Sequence, residues 1–234
     1  MALPDRFRIF QQSQQCLSRS PVHRTVPLIS PAGPTRRRNI PVSAGPLAVP
    51  QPFRKIKEPD MSEYEVVDSS FTAIINAPIE KIDIPKWCFS LSEKEYQGCS
   101  PAHIAAGFTT APDGRRMSIN VEIIGGSLMV QHYVETLGQK DHLILESVSD
   151  IFTPTGRTTL NILWELSVRP IDSRTCEFTN HVRSKATDEF KVFLDRQGIP
   201  FDIFRAQRQP MSIAHNKGET PFFAASIERA ALEN

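Results

Sequence analysis

Residues 116–184 read RMSINVEIIGGSLMVQHYVETLGQKDHLILESVSDIFTPTGRTTLNILWELSVRPIDSRTCEFTNHVRS. Five runs of alternating or β-branched residues stand out: Arg116–Ile124, Ser127–Glu135, His142–Phe152, Arg157–Val168 and Thr175–Ser184. Turn chemistry separates them, at Gly125-Gly126, Thr136–Asp141, Thr153–Gly156 and Arg169–Arg174. Connections this short make hairpins, so the stretch predicts one antiparallel sheet.

Hairpin lengths fix an expected register. A two-residue Gly-Gly loop pairs Ile124 with Ser127, which places Ile123 opposite Leu128, Val121 opposite Val130 and Ile119 opposite His132. Pairing Glu135 with His142 and Phe152 with Arg157 carries the same face onward, so that His132 meets Leu145 and Leu145 meets Trp164. Pairing Val168 with Cys176 sets Trp164 opposite Asn180; the alternative register turns Glu177 and Arg183 toward the apolar side. Two rows are expected on the covered face, Ile119–His132–Leu145–Trp164–Asn180 and Val121–Val130–Ser147–Ile162–Val182. Glu122, Glu135, Glu146, Asp150, Glu165, Glu177 and Arg183 are then the solvated face.

The rest of the chain is uneven. Residues 1–60 hold ten of the nineteen prolines and ten basic against three acidic residues, a net +7; the remainder is −6. The overall +1 averages two unlike regions. A segment without hydrophobic periodicity cannot bury a core, and 1–60 is expected to be a disordered basic leader ahead of a domain at 61–234. Three accounts of it stand open: an organellar transit peptide, an arm for nucleic acid prompted by Arg36-Arg37-Arg38, or translated leader ahead of a start at Met61. A run of three charges is ordinarily a solvated loop, so no nucleic-acid partner is expected. Cys16, Cys88, Cys99 and Cys176 form no ligand pattern, which with the lack of an apolar signal segment predicts a reducing compartment, cytoplasmic unless 1–60 is a transit peptide. No apolar run is long enough to insert stably into a membrane.

Ser70–Asn76 alternates as an edge strand, and Ala77-Pro78 opens a short helix that Pro85 should stop. Ser92 followed by Glu93 and Glu95 is an N-cap pattern, giving two or three short helices up to the Gly107 region. Thr187 caps a further helix that Gly198 ends. After Pro200, Phe201, Phe204, Met211, Ala214, Phe222, Phe223, Ile227 and Ala231 describe a C-terminal helix kinked near Pro210 and Gly218–Pro221.

A strand running into Asn76-Ala77-Pro78-Ile79-Glu80-Lys81-Ile82, then short helices, antiparallel strands and a C-terminal helix, resembles the START-like helix-grip superfamily (SRPBCC), which includes polyketide cyclases and the birch-pollen allergen group. The order holds over residues 62–232. Asp83-Ile84-Pro85 departs from the hydrophobic-Trp continuation usual in the family. The resemblance implies an α+β fold in which a curved antiparallel sheet of about six strands wraps a long C-terminal helix. It also implies a cavity between them for a small hydrophobic or aromatic, lipid- or polyketide-like molecule.

On the expected register that cavity is lined by Ile119, Val121, Val130, His132, Leu145, Ser147, Ile162, Trp164 and Asn180, with Phe204 and Met211 from the helix. His132 as acid/base and Asn180 as donor to a developing enolate oxygen form the candidate catalytic pair of a cyclase or dehydratase. One inward histidine without a carboxylate favours a binding or carrier protein instead. A protein-interaction module is a third reading. His103 near a helix start and His215 on the C-terminal helix are weaker candidates, and His181 points outward. No metal-ligand spacing, Gly-rich phosphate loop or GxSxG motif occurs, so no metal and no cofactor are expected. The oligomeric state is not encoded in an exposed sheet edge alone.

Overall fold

A computed structural model describes residues 64–233. The expected leader therefore lies outside the described residues. The strands are β1 (Glu65–Ile75), β2 (His103–Thr110), β3 (Arg116–Ile124), β4 (Ser127–Gln139), β5 (His142–Thr153), β6 (Gly156–Pro170) and β7 (Cys176–Ala186). The helices are α1 (Ile84–Cys88), α2 (Glu93–Cys99), α3 (Asp188–Gln197) and α4 (Phe201–Leu232). The strands form one antiparallel sheet in the order β1-β7-β6-β5-β4-β3-β2. The fold is α+β, with a seven-stranded open sheet against a long C-terminal helix. No helix among the described residues is long and apolar enough to cross a membrane.

Local chemistry explains most boundaries. Asp83 accepts from Lys86 N at 2.9 Å and caps α1, so Pro85 sits in the first turn and starts a helix instead of stopping one. Ser92 caps α2 and Thr187 caps α3, accepting from Glu95 N and Phe190 N. Gly198 ends α3 at φ 65°, in the left-handed region. The hairpin Gly125-Gly126 takes φ 57° and 79°, which suits the twist of the flanking strands. Helix α4 runs unbroken through Pro210 and Pro221 for 32 residues, about 48 Å. The C-terminal segment is thus one continuous helix.

The strand β2 was not expected. His103-Ile-Ala-Ala-Gly-Phe-Thr-Thr is short of β-branched residues, and as the sheet's edge it buries only His103.

The register of the sheet agrees with expectation in β3–β4 and β5–β6 and departs in β4–β5 and β6–β7. Ile119 pairs with His132 and Val121 with Val130, and Leu145 pairs with Trp164 and Ser147 with Ile162. In β6–β7, Val168 meets Phe178, so Leu166 lies opposite Asn180 and Trp164 opposite Val182, a slip of two residues that keeps every side chain on its face. Between β4 and β5 the change is odd. The strand β4 continues to Gln139 and turns at Lys140-Asp141, and a bulge between Glu135 and Leu137 adds one residue. Val134 then meets Glu146 and Val130 meets Asp150, three residues from the expected pairing. An odd slip exchanges faces. Relative to β5–β7, the hairpin β3–β4 is turned over.

The inner face is accordingly Ser118, Asn120, Glu122 and Ile124 on β3 and Met129, Gln131 and Tyr133 on β4, all buried. Ile119, Val121, Val130 and His132 are half-buried on the outer face, beside Ile123 at 43% and Val148 at 61% exposed. Their expected place in the inner wall is corrected, and so is the assignment of Glu122 to the solvated face. Under the β5–β7 half lies the apolar core: Leu143, Leu145, Leu166, Phe178, Trp87, Phe223 and Ile227. Cys88, Cys99 and Cys176 are buried there as free thiols.

Candidate functional site

Helix α4 presents one stripe to the sheet, and its character changes along its length. Phe223, Ala224, Ile227 and Ala231 are buried and apolar; Arg208, Asn216, Glu219 and Thr220 are buried and polar, and His215 lies beside them. The polar half faces the inverted hairpin β3–β4, so polar groups meet polar groups. A helix-facing wall of Asn120, Glu122 and Gln131 is stable only if its members find partners.

They do. Gln131 Nε2 donates to Glu122 Oε1 at 2.7 Å, and the Tyr96 hydroxyl donates to Glu122 Oε2 at 3.4 Å. His215 Nε2 lies 3.1 Å from Glu122 Oε2 and 3.1 Å from Glu219 Oε2. His103 Nε2 lies 3.0 Å from Glu219 Oε2 and 3.6 Å from Glu122 Oε2. The ring of His103 is held by its Nδ1, 2.7 Å from the Tyr96 carbonyl, and stacks on the Tyr96 ring at 3.8 Å. A carbonyl only accepts, so Nδ1 carries a proton. Asn180 completes the shell: its Nδ2 donates to Glu219 Oε1 at 3.1 Å, and its Oδ1 accepts from Trp164 Nε1 at 2.8 Å. Two histidines and two glutamates from β2, β3 and α4 thus bring four ligating atoms within 4.8 Å of one another.

Burial shapes the charges of the cluster. For His215, desolvation pulls toward the neutral ring, but hydrogen bonds to Glu122 and Glu219 outweigh it and hold the imidazolium up to about 10. Desolvation pushes the Glu219 carboxyl up, and the His103 and His215 partners bring it below the usual carboxylate range. Burial beside Glu122 and Glu219 pushes the Tyr96 phenol well up.

Between this cluster and the apolar half of the sheet lies a cavity of about 60 Å³. Leu160, Ile162, Trp164, Val182 and Phe223 give it an apolar wall, and Glu122, Gln131, Arg208, His215, Asn216 and Glu219 a polar one. At roughly 10–15 Å³ per water, the space suits about four to six waters or a ligand of comparable size. Arg208 is buried at one end. It donates to the Ile124 carbonyl and contacts Met129 Sδ at 2.9 Å, and has no carboxylate within ion-pair range among the described residues. Burial brings its guanidinium down to about 10, against the opposing pull of the Glu122 carboxylate.

Of the residues expected from the sequence, Ile162 and Trp164 line this cavity. Leu145, Ser147 and Asn180 are buried on the inner side, with Asn180 holding Glu219 and Trp164 behind the cavity wall. Phe204 packs on Phe190 at 4.9 Å, and Met211 is 46% exposed beside Gly125. Neither belongs to the cavity lining. The hydroxyl of Ser147 instead accepts from the His132 amide at 2.8 Å. The site residues outside the expected lining are Glu122, Gln131, Tyr96, Arg208 and Glu219, together with His103 and His215, the weaker candidates of the sequence. One signal was available: Arg208, Ser212, His215, Asn216 and Glu219 recur at helical spacing, a polar stripe where a core-facing helix should be apolar.

Backbone comparison places this architecture among solved structures. The Zhui aromatase/cyclase from Streptomyces sp. R1128 superposes with a TM-score of 0.52 at 10% identity, over 69% of this chain and 93% of that one. The fold is the START-like helix-grip fold. A START superfamily protein from Mycobacterium smegmatis also matches, at a TM-score of 0.42 and 13% identity over 71% of this chain and 97% of that one. No protein-family model and no curated protein matches the sequence. The helix-grip frame accounts for the gap between sheet and α4, since a twisted sheet curls away from a straight helix.

Proposed function

We propose that the chain binds a small, mostly apolar molecule ending in a carboxylate, in the cavity between the sheet and α4. The observation that carries the reading is Arg208, a buried guanidinium at the cavity's edge that hydrogen-bonds a carbonyl and a thioether, with no carboxylate in ion-pair range among the described residues and Glu122 acting on it only from farther away. Such a group is costly unless something anionic meets it, and an arginine fork matches a carboxylate. The apolar end would rest on Ile162, Trp164 and Val182. A polyketide- or lipid-sized ligand, needing about 300 Å³ or more, would require the Arg208–Met129 side of the cavity to open. Ligand binding is assigned to residues 61–234, and the three buried free thiols fit a reducing, aqueous setting, cytoplasmic or organellar.

A second reading is an enzyme of cyclase or dehydratase type. It is favoured by His215, which borders the cavity between two carboxylates and supplies what the sequence assigned to His132.

Calorimetric titration with benzoate and benzamide, which differ in charge and little in shape, tests the main reading. Benzoate is expected to bind at least about tenfold more tightly, a difference of about 1.4 kcal/mol, and Arg208→Gln to erase that preference. Equal binding of the two, or an undiminished preference in the variant, would refute it.

A further inference from the structure

We propose that His103, Glu122, His215 and Glu219 form a binding site for one divalent first-row transition-metal ion. This goes beyond the ligand reading and does not rest on it, because the four donors converge whether or not an organic molecule enters the cavity.

The geometry is the first argument. Zinc bound by imidazole and carboxylate sits about 2.0–2.2 Å from each donor, so the edges of a tetrahedral donor set are about 3.4 Å. Of the six edges, the four between Nε2 and Oε2 atoms are 3.0, 3.1, 3.1 and 3.6 Å, and all four atoms lie within 4.8 Å of one another. The set is already close to the size an ion requires.

The second argument is how each donor is held. A ligating histidine ordinarily gives its other nitrogen to a carbonyl or polar group, and a ligating carboxylate has its other oxygen hydrogen-bonded. His103 Nδ1 is on the Tyr96 carbonyl at 2.7 Å, and His215 Nδ1 lies 3.4 Å from Ser100 Oγ. Glu122 Oε1 takes the Gln131 amide and Glu219 Oε1 the Asn180 amide. All four side chains are therefore oriented from behind, and the second atom of each points to one common centre.

Third, the cluster is buried and reachable at once. Side-chain exposures are 0% for His103, 6% for Glu122, 7% for Glu219 and 12% for His215, and the last three border the cavity. A dication there carries the charge that balances two carboxylates. Two nitrogens with two oxygens suit zinc and, with a position open to the cavity, ferrous or manganous ion. His215 and Glu219 occupy i and i+4 of one helix, the spacing that puts two ligands on one face.

The test uses the full chain, stripped with chelator, gel-filtered and titrated with cobalt(II) as a spectroscopic stand-in for zinc. Expected is one equivalent bound, with absorption of tetrahedral intensity and no thiolate charge-transfer band, displaced by zinc. Glu122→Gln and His215→Gln should each abolish that spectrum. Gln131→Met, which removes the hydrogen bond that holds Glu122 Oε1, should weaken binding by about ten- to a hundredfold. No stoichiometric binding by the stripped wild-type chain, or the same spectrum in Glu122→Gln, would overturn the site. The wild-type spectrum stands even where a variant does not fold. Cobalt binding without benzoate binding would retain the metal site and remove only the ligand reading.

Discussion

Glu219→Ala is expected to lower the folding free energy by about 3–5 kcal/mol, the cost of breaking a buried ionic network from one side. Glu219 is the hinge of that network: it serves His103, His215 and Asn180 from a position 5% exposed. Its removal leaves two imidazoles facing a single remaining carboxylate and takes one of two acceptors from the Asn180 amide, Thr220 Oγ1 at 3.2 Å remaining. Domains of this size are stable by about 5–15 kcal/mol, so the variant should approach the threshold of folding. Urea unfolding followed by far-UV circular dichroism measures this. A loss under about 1 kcal/mol would mean that the cluster relaxes freely and that the helix and sheet are not joined there.

Trp164→Ala is expected to cost a similar amount, about 3–5 kcal/mol, by a different route. The indole is 5% exposed and lies against the rings of Tyr133 at 5.3 Å and Phe223 at 5.8 Å, where β4, β6 and α4 meet. It joins the apolar core to the polar cluster, because its Nε1 holds Asn180, which in turn holds Glu219. Trp164→Phe separates the two roles. It keeps most of the packing and leaves Asn180 Oδ1 without its donor, a loss of about 1–3 kcal/mol. If alanine and phenylalanine cost the same, packing is not what this residue contributes.

The sequence was informative where alternation and turn chemistry agree. Strands β3 and β5–β7, the Gly125-Gly126 hairpin, the Thr187 cap and the Gly198 stop are local features, and local physics specifies them. What escaped was a matter of parity. A loop read at Thr136–Asp141 is mostly strand, and that four-residue error alone would have kept His132 inward. The bulge at Glu135/Leu137 made the slip odd and turned the face over. Hydrophobic pattern argued for the wrong side, since β3 is apolar on its outer face (Ile119, Val121, Ile123) and polar within (Ser118, Asn120, Glu122). An inverted pattern of this kind is stable only opposite an equally polar helix stripe, and the two lie almost 90 residues apart in the chain. Violations of local consistency concentrate at functional sites. The strand β3, whose inner face is the polar one, carries Glu122.

The meeting of Glu122 on β3 with His215 on α4 is the point on which site, cavity and metal all depend. A double-mutant cycle with Glu122→Gln and His215→Gln, read by urea unfolding, measures it directly. Residues sharing one buried network should show a coupling of about 1 kcal/mol or more, whereas sites without shared partners add within about 0.3–0.5 kcal/mol. Additive losses would place Glu122 back on the outer face of the sheet.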